Sequence, residues 1–274
     1  MRLARLPSLL ATAVLAAIVS GAPSRAETVL APHRATYDFV LGKSVGQKGP
    51  SAATGRIVYE VRGDACTGYS INFRQATEVT PPEGEVRSAD VRSATFEYPD
   101  GKKFRFHSDT FSNGQIVRTV EGTAEKLSGG MAIKMTKPAT ETVELGIEPL
   151  FPVQQTLRTL AAAKAGERVL ELKTYDGSDD GKTAFHSLQI IGAPIEKPAG
   201  DLTADQASMK GMKRWRVVAS SFDLKNTEGS ALYALTFEMW ENGISSNVII
   251  DYGDFTLVGR MTKLEMFAAK PCSK

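Results

Sequence analysis

The chain is poor in the residues that build catalytic and metal centres. It has three histidines and two cysteines in 274 residues. His33, His107 and His186 share no metal-ligand spacing, and the sequence offers no zinc site. Gly-x-Ser-x-Gly and His-Glu-x-x-His are absent, and no Ser-x-x-Lys occurs with its companion motifs. There is no P-loop and no Gly-x-Gly-x-x-Gly. Asp176-Gly177-Ser178-Asp179-Asp180-Gly181 has the look of a calcium loop, but the twelfth position, which needs an acid, is Ser187. A polar hairpin turn is the expectation there. Glu238 and Glu241 could pair in space, yet Glu238 alternates with Phe237 and Met239, which predicts that it faces solvent. The pattern therefore gives no positive case for an enzyme, a metal or a cofactor.

Charge of one sign is also missing. Lys and Arg number 33 against 31 Asp and Glu. Three of the arginines, Arg2, Arg5 and Arg25, lie in the first 26 residues, which contain no acid. Residues 27–274 thus carry 30 basic and 31 acidic side chains, a net of −1. Nothing in that balance suits a nucleic-acid partner.

Long hydrophobic runs are absent but for one. Ser8 to Val19 is 12 residues long, follows Arg2 and Arg5, and precedes Ser24-Arg25-Ala26. A positive start, a short apolar stretch and small residues at −3 and −1 describe a secretory signal cleaved before Glu27. Gly21-Ala22 offers a second cleavage site. The alternative is a membrane anchor, but a spanning helix needs about 20 apolar residues. With no Cys near the cleavage site, lipid attachment is excluded. The expectation is a signal peptide over 1–26 and one exported periplasmic domain over 27–274.

In an oxidising compartment Cys66 and Cys272, 206 positions apart, are expected to pair. Two separate buried thiols are the alternative. A bridge would pin the last strand and close an edge of the sheet.

What is present is a period of two. Ala35, Tyr37, Phe39 and Leu41 alternate with Thr36, Asp38 and Val40, and Tyr233, Leu235, Phe237 and Met239 with Ala234, Thr236 and Glu238. The same alternation runs through Ile57–Val61, Tyr69–Phe73, Phe104–Phe106, Trp215–Val217 and Phe255–Met261. Asn113-Gly114 and Asn242-Gly243 predict type I′ hairpin turns. About fourteen mostly antiparallel strands between Arg34 and Phe267 describe an all-β barrel, spiral or sandwich. One segment breaks the period. Val153, Leu157 and Leu160, with Pro152 before them and Gly166 after, predict an amphipathic helix from Phe151 to Gly166. It either plugs the barrel or packs outside the sheet. Ile195 to Gly211 reads as a surface loop. A barrel of that many strands either leaves a cavity or is packed solid.

Several segments together carry a family resemblance. They are Ala31-Pro32-His33-Arg34-Ala35-Thr36-Tyr37-Asp38, Gly55-Arg56-Ile57-Val58-Tyr59-Glu60, Ala65-Cys66-Thr67-Gly68-Tyr69 and Asn72-Phe73-Arg74-Gln75. Leu150-Phe151-Pro152, Tyr175-Asp176-Gly177-Ser178, Phe237-Glu238-Met239-Trp240-Glu241-Asn242-Gly243 and Asp251-Tyr252-Gly253-Asp254-Phe255 complete the set. The chain resembles the EipB-type family of alphaproteobacterial periplasmic cell-envelope integrity proteins. It departs at Val153-Gln154-Gln155, where the family pattern leads us to expect Thr-Glu-His.

The resemblance implies an open, spiral-like β-barrel of about fourteen antiparallel strands, similar to lipoprotein carriers and acceptors. It implies a disulfide between Cys66 and Cys272. It implies a periplasmic protein that preserves the envelope under stress, and with the absence of catalytic motifs the expectation is a non-enzymatic monomer. The expected partners are a lipid, an acyl chain, a lipoprotein ligand or a segment of another periplasmic envelope protein. No catalytic, ligand-binding or metal residue and no cofactor carries over. A fully packed scaffold is the alternative function, and an envelope hydrolase the less favoured one.

Overall fold

The computed structural model describes residues 29–46, 49–196, 204–224, 229–269 and 272. The signal segment expected over 1–26 and its expected cleavage before Glu27 lie outside the described residues. The strands are β1 His33–Ser44, β2 Ala52–Asp64, β3 Gly68–Thr80, β4 Arg87–Glu97, β5 Lys103–Ser112, β6 Gln115–Leu127 and β7 Gly130–Lys137. They continue with β8 Glu141–Leu145, β9 Val169–Thr174, β10 Phe185–Pro194, β11 Arg214–Asp223, β12 Tyr233–Trp240, β13 Ser245–Asp251 and β14 Phe255–Met266. Among the described residues there is one α-helix, α1, over Pro152–Ala165.

All fourteen strands form one antiparallel sheet, ordered β8-β7-β6-β5-β4-β3-β2-β1-β14-β13-β12-β11-β10-β9. It is two meanders joined where β1 meets β14. The period of two decides which face turns inward. In β1, His33, Ala35, Tyr37 and Phe39 are buried, while the alternate residues are half-buried or exposed. A one-residue slip between Thr36 and Tyr37 lets the inward set of β14 change from Leu264 to Met261, Gly259 and Leu257. Without such a bulge, one end of β14 would turn its apolar face to water.

The edges are β8 and β9, not the C-terminal strand. The expectation that the disulfide closes a sheet edge is therefore wrong: β14 lies in the middle, hydrogen-bonded on both sides. Cys66 and Cys272 are joined, with their Cα atoms 5.8 Å apart, and the bond ties the tail to the β2–β3 turn. Asp64 shapes that turn by accepting hydrogen bonds from the N–H groups of Cys66 and Thr67, both 2.8 Å.

Turn chemistry follows the sequence at one hairpin and departs from it at another. Asn113 and Gly114 both have positive φ, as a type I′ turn requires. At Asn242-Gly243 only the glycine does, with φ +87. Gly243 N–H bonds Trp240 O at 2.8 Å, so a type I turn with a glycine bulge joins β12 to β13. The stretch read as a plain surface loop, Ile195–Gly211, contains a 3-10 helix at Ala204–Met209, and the Met209 side chain is fully buried. Met209 joins the buried cluster that holds Tyr37, Trp240, Ile244 and Leu257, with Met212 packed against it. Glu238, expected in solvent, is half-buried and bonds Arg214 at 2.7 Å, and Arg214 lies over the Trp240 ring.

Candidate functional site

The sheet curls so that distant strands converge on α1. Val153 and Leu160 are buried and Leu157 is packed beside them, against Val61 of β2, Tyr69 and Ile71 of β3, Leu170 of β9, Ile191 of β10, Trp215 and Val217 of β11 and Met239 of β12. The helix plugs the interior; packing outside the sheet is ruled out.

Its ends explain why it forms there. Phe151 occupies the N-cap position and has no side-chain oxygen to offer. Gln154 reaches back with Oε1 to the Phe151 N–H at 3.2 Å, and Glu97 of β4 accepts the Val153 N–H at 2.9 Å. Strand β4 thus supplies the cap that the helix lacks, an anion at the positive end of the helix dipole. At the other end Gly166 has φ +79, and the N–H groups of Gly166 and Glu167 close on Ala163 O and Ala162 O.

Glu97 is only 5% exposed. Burial pushes its carboxyl up to about 7, against the opposing pull of the Val153 and Gln154 amides and the Lys126 ammonium. Lys126 donates to Gln154 Oε1 at 2.6 Å and sits 4.7 Å above the Phe151 ring, and burial pulls its own affinity for a proton down.

Under the polar side of α1 lies a cavity of about 450 Å³. Its apolar wall includes Tyr59, Val61, Ile71, Phe73, Leu235, Phe237 and Met239. Its polar wall includes Gln155, Thr156 and Thr159 of the helix, Gln189 of β10, and Ser93, Thr95 and Ser108 of β4 and β5. Thr159 donates to Gln189 Oε1 at 2.8 Å, and Gln189 is 2% exposed. His33, 2% exposed, lines the cavity, and its Nδ1 lies 2.7 Å from Ala31 O. That bond requires the proton on Nδ1 and leaves Nε2 an acceptor. Burial holds this imidazole below its usual value, so it is neutral at pH 7.

The remaining sequence candidates are scattered. His107 meets Asp109 at 3.1 Å and Glu121 at 3.5 Å, and His186 meets Glu171 at 3.7 Å. The Thr119 hydroxyl donates to Asp109 at 2.6 Å and is thereby spent on that carboxylate. Among the described residues the one cluster with metal-ligand spacing is Asp64, Cys66 and Cys272, where both sulfurs are taken by the disulfide. The Asp176–Gly181 turn is more than a polar hairpin. Asp176 and Asp180 are spent on local N–H groups, while Gly177 and Gly181 press their backbones onto Phe106, Val120 and Met135 inside the barrel.

Sequence reasoning missed Glu97, Gln155 and Gln189. Glu97 continues the inward series Val91, Ser93 and Thr95, a signal that was available. The two glutamines had none, because what they face is set by strands and a helix far apart in the chain.

The architecture has known counterparts. Residues 24–268 match the model of the EipB-like family. A relative named cell envelope integrity protein EipB, from Brucella abortus (strain 2308), is 35% identical over 260 residues, 94% of this chain and 92% of that protein. A crystal structure from Brucella abortus, described as a β-barrel-like protein of a domain of unknown function, superposes with a TM-score of 0.82. It is 33% identical, and the match covers 87% of this chain and 99% of that one. A curled fourteen-stranded sheet plugged by one helix, with this match along nearly its whole length, places the chain in the EipB-like family.

Proposed function

We propose that this chain is a non-enzymatic protein of the periplasm, exported by cleavage before Glu27, that helps maintain the cell envelope by holding an apolar chain in its interior. The name of the Brucella relative supports the envelope role. The observation that carries the binding role is the cavity of about 450 Å³ beneath α1. Its size lies within the roughly 300–1,000 Å³ of small-molecule sites, and an aromatic and aliphatic wall facing a few polar groups is the usual make-up of such sites.

The test uses the exported protein purified from its host. Mass spectrometry of a solvent extract should find a chain-bearing molecule in stoichiometric amount, and Ala219→Phe, which projects into the cavity, should lose it. That variant should also fail to restore envelope resistance to detergent in a deletion strain. A folded Ala219→Phe protein that complements fully would sink the reading. N-terminal sequencing of the same sample checks the cleavage before Glu27.

A second reading, a docking scaffold for another envelope protein, draws on the outer surface. There an open groove of about 640 Å³ is bordered by Asp38, Arg56, Asp90, Arg92 and Phe111. Full complementation by the cavity-filled variant, together with loss of function in Arg56→Glu, would favour it.

A further inference from the structure

The cavity wall has an uneven chemistry that narrows what it can hold. None of its lining residues is a lysine or an arginine. Its acidic and imidazole side chains are Asp176, which is exposed, His33, and His107, which meets Asp109 at 3.1 Å and Glu121 at 3.5 Å. Asp179 and Asp180 follow Asp176 on the same loop, where Asp179 has Arg118 as its basic neighbour at 3.9 Å. Lys126 lies near the helix start, but it is engaged by Gln154 and Glu97 and is not part of the wall.

Apart from Asp176 and His107, the polar side chains that face the cavity are amides, hydroxyls and the His33 imidazole. The amide of Gln155 has no hydrogen-bond partner among the described residues. Gln189 uses its Oε1 on Thr159, while its Nε2 has a single long contact, 3.4 Å, to Ser187 Oγ. A buried side-chain N–H of Gln189 is thus left under-used, beside an uncommitted amide from α1. His33 Nε2 adds an acceptor on the same lining. Buried donors and acceptors of this kind recruit a matching neutral partner, since leaving them unmet is unfavourable. A buried anion would find no lysine or arginine on the wall, the His107 imidazole there is already faced by Asp109 and Glu121, and the anion would pass an acidic loop to enter.

We propose that the cavity selects a single-chain amphiphile with an uncharged hydrogen-bonding head, of the amide or glyceryl type, over chains that end in a carboxylate. The proposal rests on the reading that the interior binds an apolar chain. In the bound state the chain lies along Ile71, Phe73, Leu235 and Phe237, and the head meets Gln155 and Gln189.

The experiment is a titration of the delipidated full-length mature protein at pH 8.5 with three probes of equal chain length: myristamide, 1-monomyristoylglycerol and myristate. Each displaces an environment-sensitive naphthylamine dye. The two neutral probes should bind at least about tenfold more tightly than myristate. Gln155→Leu should weaken the neutral probes by several-fold and leave myristate unchanged. Gln155→Lys, which places a cation on the wall, should bring myristate level with the neutral probes. Melting curves for both variants confirm that they fold, and Gln155 is only half-buried on a helix face. Wild-type protein that binds myristate as tightly as myristamide overturns the head-group selectivity and leaves chain binding intact. Failure of all three probes to displace the dye overturns both.

Discussion

The two sides of the barrel interior solve the same filling problem differently. On the β5–β7 side, Phe104, Phe106, Phe151 and Tyr175 pack ring against ring with centroids 5.0 to 6.4 Å apart. Val120, Ala124, Met131, Ile133 and Met135 fill the rest of that volume. On the β2–β4 and β11–β13 side, the small residues Ser93, Thr95, Ala219 and Ser245 line the cavity, and the space stays open. A sheet of fourteen strands encloses more than one helix can occupy. The chain adds filler on one side only, from the α1 approach and the β9–β10 loop. Solid packing is the default for a protein interior, so the side left open is the one that calls for a functional explanation.

If the packed side is the structural one, damage there should be the most severe. Phe104→Ala removes a ring that is 1% exposed and stacked on two others. We expect a loss of about 3–5 kcal/mol, read as a melting point lower by roughly 10 °C. A change of under 3 °C would mean that the two sides are equally loose.

The disulfide belongs to the open side, at the β2–β3 turn. The Cys66→Ser, Cys272→Ser protein should lose about 2–5 kcal/mol, because a 206-residue separation makes closure costly in the unfolded chain. Reductant should lower the wild-type midpoint and leave the double variant unmoved. Equal midpoints in all four samples would deny the bridge any role in stability.

Glu97 sits between the two sides, and its protonation should be legible in a pH series. A carboxyl whose folded value of about 7 lies above its ordinary value of 4.5 binds its proton more tightly in the fold. The stability it contributes is fully present below about 4.5 and is lost as pH rises to about 7. Glu97→Gln keeps a neutral acceptor for the Val153 N–H and removes that titration. The wild-type midpoint minus that of Glu97→Gln should therefore fall between pH 4.5 and 7 and level off above, by an amount corresponding to at most roughly 3 kcal/mol. A flat difference would show that Glu97 binds its proton no more tightly in the fold than in the unfolded chain.

The finest test adds atoms rather than removing them. A Cβ at Gly177 would lie 2.4 Å from the Phe106 ring, on a backbone with φ +71. Gly177→Ala should cost about 1–3 kcal/mol. Ala219→Leu adds more volume on the open side and should cost less than about 1 kcal/mol in thermal melts of the delipidated protein. A reversed order would erase the distinction between the two sides.

The strands were legible because each carries its own signal. Alternation in Tyr37–Phe39 or Tyr233–Met239 is local, and so are the turn residues Asn113 and Gly114. The helix was legible for the same reason, from Pro152 to Gly166. Its position was not, because Val153 and Leu160 say that one face is buried without saying against what. Phe151 and Tyr175 lie outside regular strands, so no period marks them as core. The cap on α1 comes from a strand 56 residues earlier in the sequence. The seam between β1 and β14 was misread as an edge, since pairing between chain ends leaves no trace in either segment.

That seam also dictates an order of events. His33 pairs with Met266, so the central ladder of the sheet joins the first strand to the last. As the chain emerges from its N-terminus, β1 to β8 can zip up from neighbour to neighbour, each waiting on one short turn. The outer flank of β1 cannot be matched until more than two hundred further residues have appeared. For that interval the nascent protein displays a twelve-residue unpaired strand, a template for any other extended chain nearby. Assembly of this fold is thus limited by its longest-range contact, and its window of vulnerability to misassociation closes only with the final strand.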